Sequence, residues 1–178
     1  MTLFVPYSRC MGHGSRSMPL RLIFILAIPF LLGSCSGSFK PDTKSNEPVR
    51  DSVSFLMQRL STDLQREGPV AWLNYFDPGP GFYMASDGKL AFKNFPGAKL
   101  FIEDTLVHAI RKINLAFIQI RIDSLSPQLA AVAAVFHEDI TGSSVNIFSI
   151  NGYFTALLSQ TSQGWKIRNL HWSMDKTK

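Results

Sequence analysis

His171 is the residue of this chain best suited to moving a proton, because an imidazole changes charge near neutral pH. In the stretch Gly164 to Ser173 (GWKIRNLHWS), alternation along a strand would place Trp165, Ile167, Asn169, His171 and Ser173 on one face. That face starts apolar and turns polar at Asn169 and His171, as a pocket wall would, or as a strand end leaving the core would. Lys166, Arg168, Leu170 and Trp172 would share the other face. Asp77 is the second candidate. It follows Trp72, Tyr75 and Phe76, and a carboxyl beside aromatic walls loses solvation and can trade a proton at higher pH. An aspartate before a proline is also an ordinary turn residue. His171 and Asp77 are the expected proton carriers, Trp72, Tyr75, Phe76 and Tyr83 the expected apolar walls, and Asn169 a polar anchor.

Other constellations carry less. His137-Glu138-Asp139 invites a metal, but neighbours on a strand point to opposite faces, and Thr141 stands where a zinc protease helix would carry its second histidine. This triplet reads as a polar strand end. His108 follows Asp104 by four residues, the spacing of a surface pair on a helix. Gln119, Arg121 and Asp123 share a strand face as a cross-strand charge pair or a pocket rim. There is no phosphate-binding loop, no G-x-S-x-G and no dinucleotide fingerprint, so no cofactor and no metal are expected.

The elements that must position these residues run helices first and strands afterwards. Val53, Leu56, Met57, Leu60 and Leu64 recur at helical spacing, which predicts an amphipathic helix over Val49 to Glu67. Gly68-Pro69 ends it and opens a shorter helix with Trp72, Leu73, Tyr75 and Phe76. After Asp77-Pro78-Gly79-Pro80-Gly81, the segment Phe82 to Phe92 predicts a hairpin around Asp87-Gly88, since both turn positions tolerate positive φ. A third helix is expected over Ala98 to Arg111. Long strands follow at Ile113 to Leu125 and Leu129 to Glu138, and a closing hairpin at Ile150 to Ser173 turns through Ser159 to Gly164. That order argues for an α+β domain.

The closing pattern, Asn151-Gly152-Tyr153-Phe154-Thr155-Ala156-Leu157-Leu158 followed by Gly164-Trp165-Lys166-Ile167, His171 and Ser173, resembles the end of SnoaL-like domains of the nuclear transport factor 2-like superfamily. The resemblance spans about Val49 to Met174. It implies a curved, mostly antiparallel sheet wrapped around the N-terminal helices, leaving a cone-shaped cavity. This superfold hosts isomerases, dehydratases, cyclases, hydrolases and binding modules. Its ketosteroid isomerases use an early aspartate as base; Asp77 and Asp87 are nearest here, both in turns. Arg121 and Asp123 resemble the aspartate–arginine arrangement of limonene epoxide hydrolase-like members, without a second aspartate. Many relatives dimerise through the exposed sheet face, where Leu170 and Trp172 would fit.

Ahead of the domain, Leu22 to Leu32 is an 11-residue apolar run after Arg21. A helical span of a bilayer takes about 20 residues, so the run reads as the core of a signal peptide. Leu32-Gly33-Ser34-Cys35 then resembles a bacterial lipobox, which implies lipid on Cys35 and cleavage just before it. The expected organisation is a signal peptide over 1–34, with 1–17 a possible upstream extension before Met18. A lipidated cysteine and tether follow over 35–48, and a SnoaL-like domain over 49–178. Ser36, by the same resemblance, implies outer-membrane sorting in the bacterial envelope. The polar tether Ser36 to Pro48 could reach about 40 Å when extended. Losing the three arginines of the leader lowers the formal charge from +5 to +2, with no basic run among aromatics, so no nucleic-acid partner is expected. Cys10 and Cys35 both precede the domain, which leaves it no internal disulfide.

The reading favoured by these residues is a lipid-anchored envelope protein whose domain binds a small apolar molecule or serves as an accessory module. The alternatives are a cofactor-free acid–base enzyme of the isomerase, dehydratase or cyclase kind, and a structural or partner-docking lipoprotein.

Overall fold

The computed structural model describes residues 47–144 and 147–175. The leader, Cys35 and the tether expectation up to Asn46 lie outside these residues. Helix α1, Glu47–Glu67, buries Val53, Met57, Leu60 and Leu64 along one stripe, as the helical spacing requires. Gly68 adopts φ 73°, which ends the helix, and Pro69 sits in the first turn of a 3₁₀ segment, Gly68–Asn74. A polar tie fixes that segment to α1: the Tyr75 hydroxyl donates to Asp63 Oδ2 at 2.5 Å, and Arg66 donates to Asp63 Oδ1 at 2.7 Å. Burial, and then the bond to Asp63, push the Tyr75 phenol well above its ordinary range.

The expected hairpin is present as β1, Tyr83–Ser86, and β2, Lys89–Phe92, with Asp87 at φ 48° and Gly88 at φ 77°. Asn94 caps the next helix by accepting from the Gly97 N–H at 2.9 Å. This helix, α2, covers Phe95–Phe101, widens into a π-turn at Ile102–Leu106 and closes with a last turn, Val107–Ala109. No hydrogen bond or ion pair joins His108 to Asp104 among the described residues.

Four long strands complete the domain: β3, Ile110–Ser126; β4, Leu129–Gly142; β5, Ile147–Thr161; and β6, Gly164–Met174. The six-stranded sheet has the order β2-β1-β6-β5-β4-β3 and is antiparallel except where β1 runs parallel to β6. Bulges in β3 and β6 bend the sheet, and α1 covers its concave face. The core lies between them, built around Phe136, Phe154, Trp172, Trp72, Phe76 and Phe82. Among the described residues no helix is long and apolar enough to cross a membrane.

One bulge overturns the expected facing of the last strand. Leu157 pairs with Asn169, but Leu158 pairs with Ile167, so Arg168 is an extra residue in β6. The alternation therefore slips by one place. Leu170 and Trp172 join Ile167 on the concave, buried face, while Asn169 and His171 turn to the convex face. Leu170 and Trp172 are thus core residues and are not available to an exposed dimer face.

Candidate functional site

Between the concave face, α2 and the β1–β2 hairpin lies a cavity of about 210 Å³. Its walls come from every layer of the domain: Trp72 and Phe76, Met84 and Phe92, Ile102 and Leu106. Trp172 and Leu170 of β6, with Ile110, Ile113 and Ile140, complete the apolar lining, and Phe101 stands at the edge with 40% of its surface exposed. The π-turn is part of this construction, since its first and last residues both face the cavity.

One lining residue is ionisable. Glu138 lies on β4 between Phe136 and Ile140 in the inward register, with Leu115 of β3 and Ile150 of β5 as its cross-strand partners. It is 7% exposed, and its carboxyl makes no hydrogen bond or ion pair among the described residues. Desolvation alone raises it from 4.5 to about 7. Both charge states are therefore present near neutral pH, in a cavity whose other walls are apolar. Such a group can accept a proton or a hydrogen bond, or donate one when protonated.

The expected site residues divide among several surfaces. Trp72 and Phe76 do line this cavity. Tyr75 lines a separate groove with Arg59, Trp165 and Lys166, its hydroxyl already committed to Asp63. Tyr83, Asn169 and His171 line a shallow trough on the convex face, together with Thr155, Leu157 and Asp123. Asp77 is a turn residue: its Oδ1 accepts from the Gly79 N–H at 2.9 Å and its Oδ2 from Ser159 at 3.5 Å. His171 and Asp77 share no cavity, so the expected acid–base pair is not assembled. Arg121 and Asp123 pair within one strand at 2.8 Å instead of across strands.

The triplet on β4 is resolved by the same alternation that argued against a metal. His137 and Asp139 face outward, where His137 Nδ1 donates to Asn151 at 2.8 Å and Ser149 donates to Asp139 at 2.6 Å. The bond to Asn151, aided by Asp139, raises the His137 imidazole above its ordinary value. Glu138 faces inward. It is no strand end, because β4 continues to Gly142. The signal that marks it is the run Ala130, Val132, Ala134, Phe136, Glu138, Ile140, a period-two apolar face interrupted by one carboxyl.

No family model matches the chain. No curated protein matches it. Solved structures do. A nuclear transport factor 2-like superfamily protein from Salmonella enterica serovar Typhimurium superposes with a TM-score of 0.63 at 13% identity, covering 75% of this chain and 95% of that one. The LinA-type3 hexachlorocyclohexane dehydrochlorinase from Novosphingobium barchaimii gives 0.60 at 10% identity, over 76% and 92% of the two chains. An uncharacterized protein with a cystatin-like fold from Caulobacter vibrioides gives 0.56 at 12% identity, over 71% and 89%. The superposed part accounts for 95%, 92% and 89% of these solved chains, so chains of little more than this fold stand alone as folded proteins. Identities this low speak to fold alone, and what they establish is that this chain carries a domain of the nuclear transport factor 2-like fold.

Proposed function

We propose that the domain binds a small, largely apolar molecule in its concave cavity, with Glu138 as the polar anchor. The observation that carries this reading is the carboxyl of Glu138, nearly buried and unpaired among the described residues, set among aromatic and aliphatic walls. Small-molecule sites combine apolar walls with a few placed polar groups. An apolar cavity of about 150 Å³ accepts benzene, so this one has room for a ring with a short polar side arm. Trp72 and Trp172 make binding visible by fluorescence. With the unit from Lys40 onward, 2-phenylethanol is expected to give a saturable change in tryptophan emission. Leu106→Trp, which fills the cavity from the π-turn, is expected to abolish that change while keeping the far-ultraviolet dichroism. His171→Ala is expected to leave it intact. A response that survives Leu106→Trp contradicts the reading.

A second reading, cofactor-free proton transfer, is favoured by the same carboxyl, because a base poised near pH 7 is well matched to neutral conditions. The LinA-type3 neighbour, a dehydrochlorinase, also carries this fold. In that case turnover of a bound substrate rises with pH through about 7 and is lost in Glu138→Gln.

We further propose that the domain is anchored in the bacterial envelope, at the outer membrane, by lipid on Cys35. The support is sequence: an apolar run followed directly by Leu32-Gly33-Ser34-Cys35. In a diderm host, the full chain is expected to incorporate alkyne-labelled fatty acid and to sediment with membranes. Cys35→Ser is expected to lose the label. An unlabelled, uncleaved wild-type chain contradicts the anchor.

A further inference from the structure

Resting on the cavity reading above, we propose that the ligand is a small aromatic amine whose ammonium pairs with Glu138 while its ring lies among the cavity's aromatic side chains. The argument begins with what Glu138 lacks. Among the described residues no lysine, arginine or histidine lines the cavity, and the cross-strand neighbours Leu115 and Ile150 are apolar. An ionised carboxylate in such a place is costly unless a cation comes to meet it. The protein supplies none among the described residues, which leaves a counter-ion position open to the ligand.

The walls reinforce the choice of charge. Trp72, Phe76, Phe92, Phe101 and Trp172 all line the cavity. Ring faces attract an ammonium group, most strongly when it is shielded from water. A carboxylate ligand would meet a like charge at Glu138. A neutral alcohol would gain a hydrogen bond but no charge pairing. The volume of about 210 Å³ suits a single ring with a short arm, which is the size of 2-phenylethylamine.

The pairing also has a defined pH sense. Ammonium persists through neutral pH, whereas Glu138 must ionise, so affinity is expected to rise from pH 6 to pH 8. Among the described residues no other titratable group lines the cavity. His137 and Asp139, its chain neighbours, lie on the convex face, and Asp63 and Tyr75 belong to a different groove.

Three probes of matched size separate the possibilities, measured by calorimetry and by the Trp72 and Trp172 indole resonances of the unit from Lys40 onward. At pH 8, 2-phenylethylamine is expected to bind at least tenfold more tightly than 2-phenylethanol, with phenylacetate weaker than both. Glu138→Gln is expected to remove the amine preference while retaining the alcohol. Equal affinity for amine and alcohol in the wild type, or a preference that survives Glu138→Gln, overturns the amine proposal and leaves the cavity reading standing. If none of the three probes perturbs either indole, both fail together.

Discussion

Lowering the pH from 8 to 4 is expected to stabilise the domain by about 3 kcal/mol through Glu138 alone. The sign follows from where the proton is held more tightly. Burial raises this carboxyl to about 7 in the folded state, against 4.5 when exposed. Its contribution is fully present below about pH 4.5, fades as the unfolded chain ionises, and is lost once the pH passes about 7. Most paired carboxylates do the reverse, so the effect is isolated by comparison with Glu138→Gln, which has the same shape and no charge. The wild type is expected to gain stability relative to the variant as pH falls, with a relative shift in melting temperature on the order of 10 °C. Parallel pH profiles for the two proteins would mean that Glu138 is solvated or paired when folded.

The second large effect concerns Gly152, which is expected to tolerate no side chain. A Cβ there would lie 2.0 Å from the carbonyl oxygen of Ser173 and 2.8 and 2.9 Å from two ring carbons of Phe136. Neither neighbour can yield cheaply. The Ser173 carbonyl belongs to β6, where Gly152 pairs with Met174, and Phe136 is fully buried against Trp172 with ring centres 4.1 Å apart. Overpacking of this kind costs about 3 kcal/mol or more. Gly152→Ala is therefore expected to lower stability by that amount in urea unfolding. Gly88→Ala provides the contrast. Gly88 also requires care, because of its φ of 77°, but nothing lies within 4 Å of a Cβ there, so only backbone strain of about 1 kcal/mol applies. Equal losses at the two positions would argue against the close approach of β5 and β6.

Much of the architecture was legible from local pattern. The spacing of Val53, Met57, Leu60 and Leu64 announces α1, Asp87-Gly88 announces the β1–β2 turn, and the order of helices before strands announces the α+β class. The closing pattern from Asn151 onward pointed to the fold that the structural neighbours share. The site was less legible, for two physical reasons. Alternation assumes an unbroken ladder, and the extra residue Arg168 in β6 reverses it. Asn169 and His171 turn outward, and Leu170 and Trp172 turn inward. The bulge at Arg168 carries no glycine to announce it. The second reason is weighting. Glu138 sits between two polar neighbours and reads with them as a strand end, although the even-numbered apolar run through Phe136 and Ile140 places it on the core side. Tyr75 illustrates a third limit. Its partner Asp63 lies on another element, twelve residues back, and no local pattern announces that bond.

The measurement that tests the central claim most directly is a carbon-13 NMR titration of the Glu138 side-chain carboxyl, with and without saturating 2-phenylethanol. A midpoint near 7 in the free protein, displaced when the alcohol is present, is the expected result and places a buried, titrating carboxyl inside a cavity that small apolar molecules enter. A midpoint near 4.5 that the alcohol does not move would contradict it, because the carboxyl would then be in water and outside any ligand's reach.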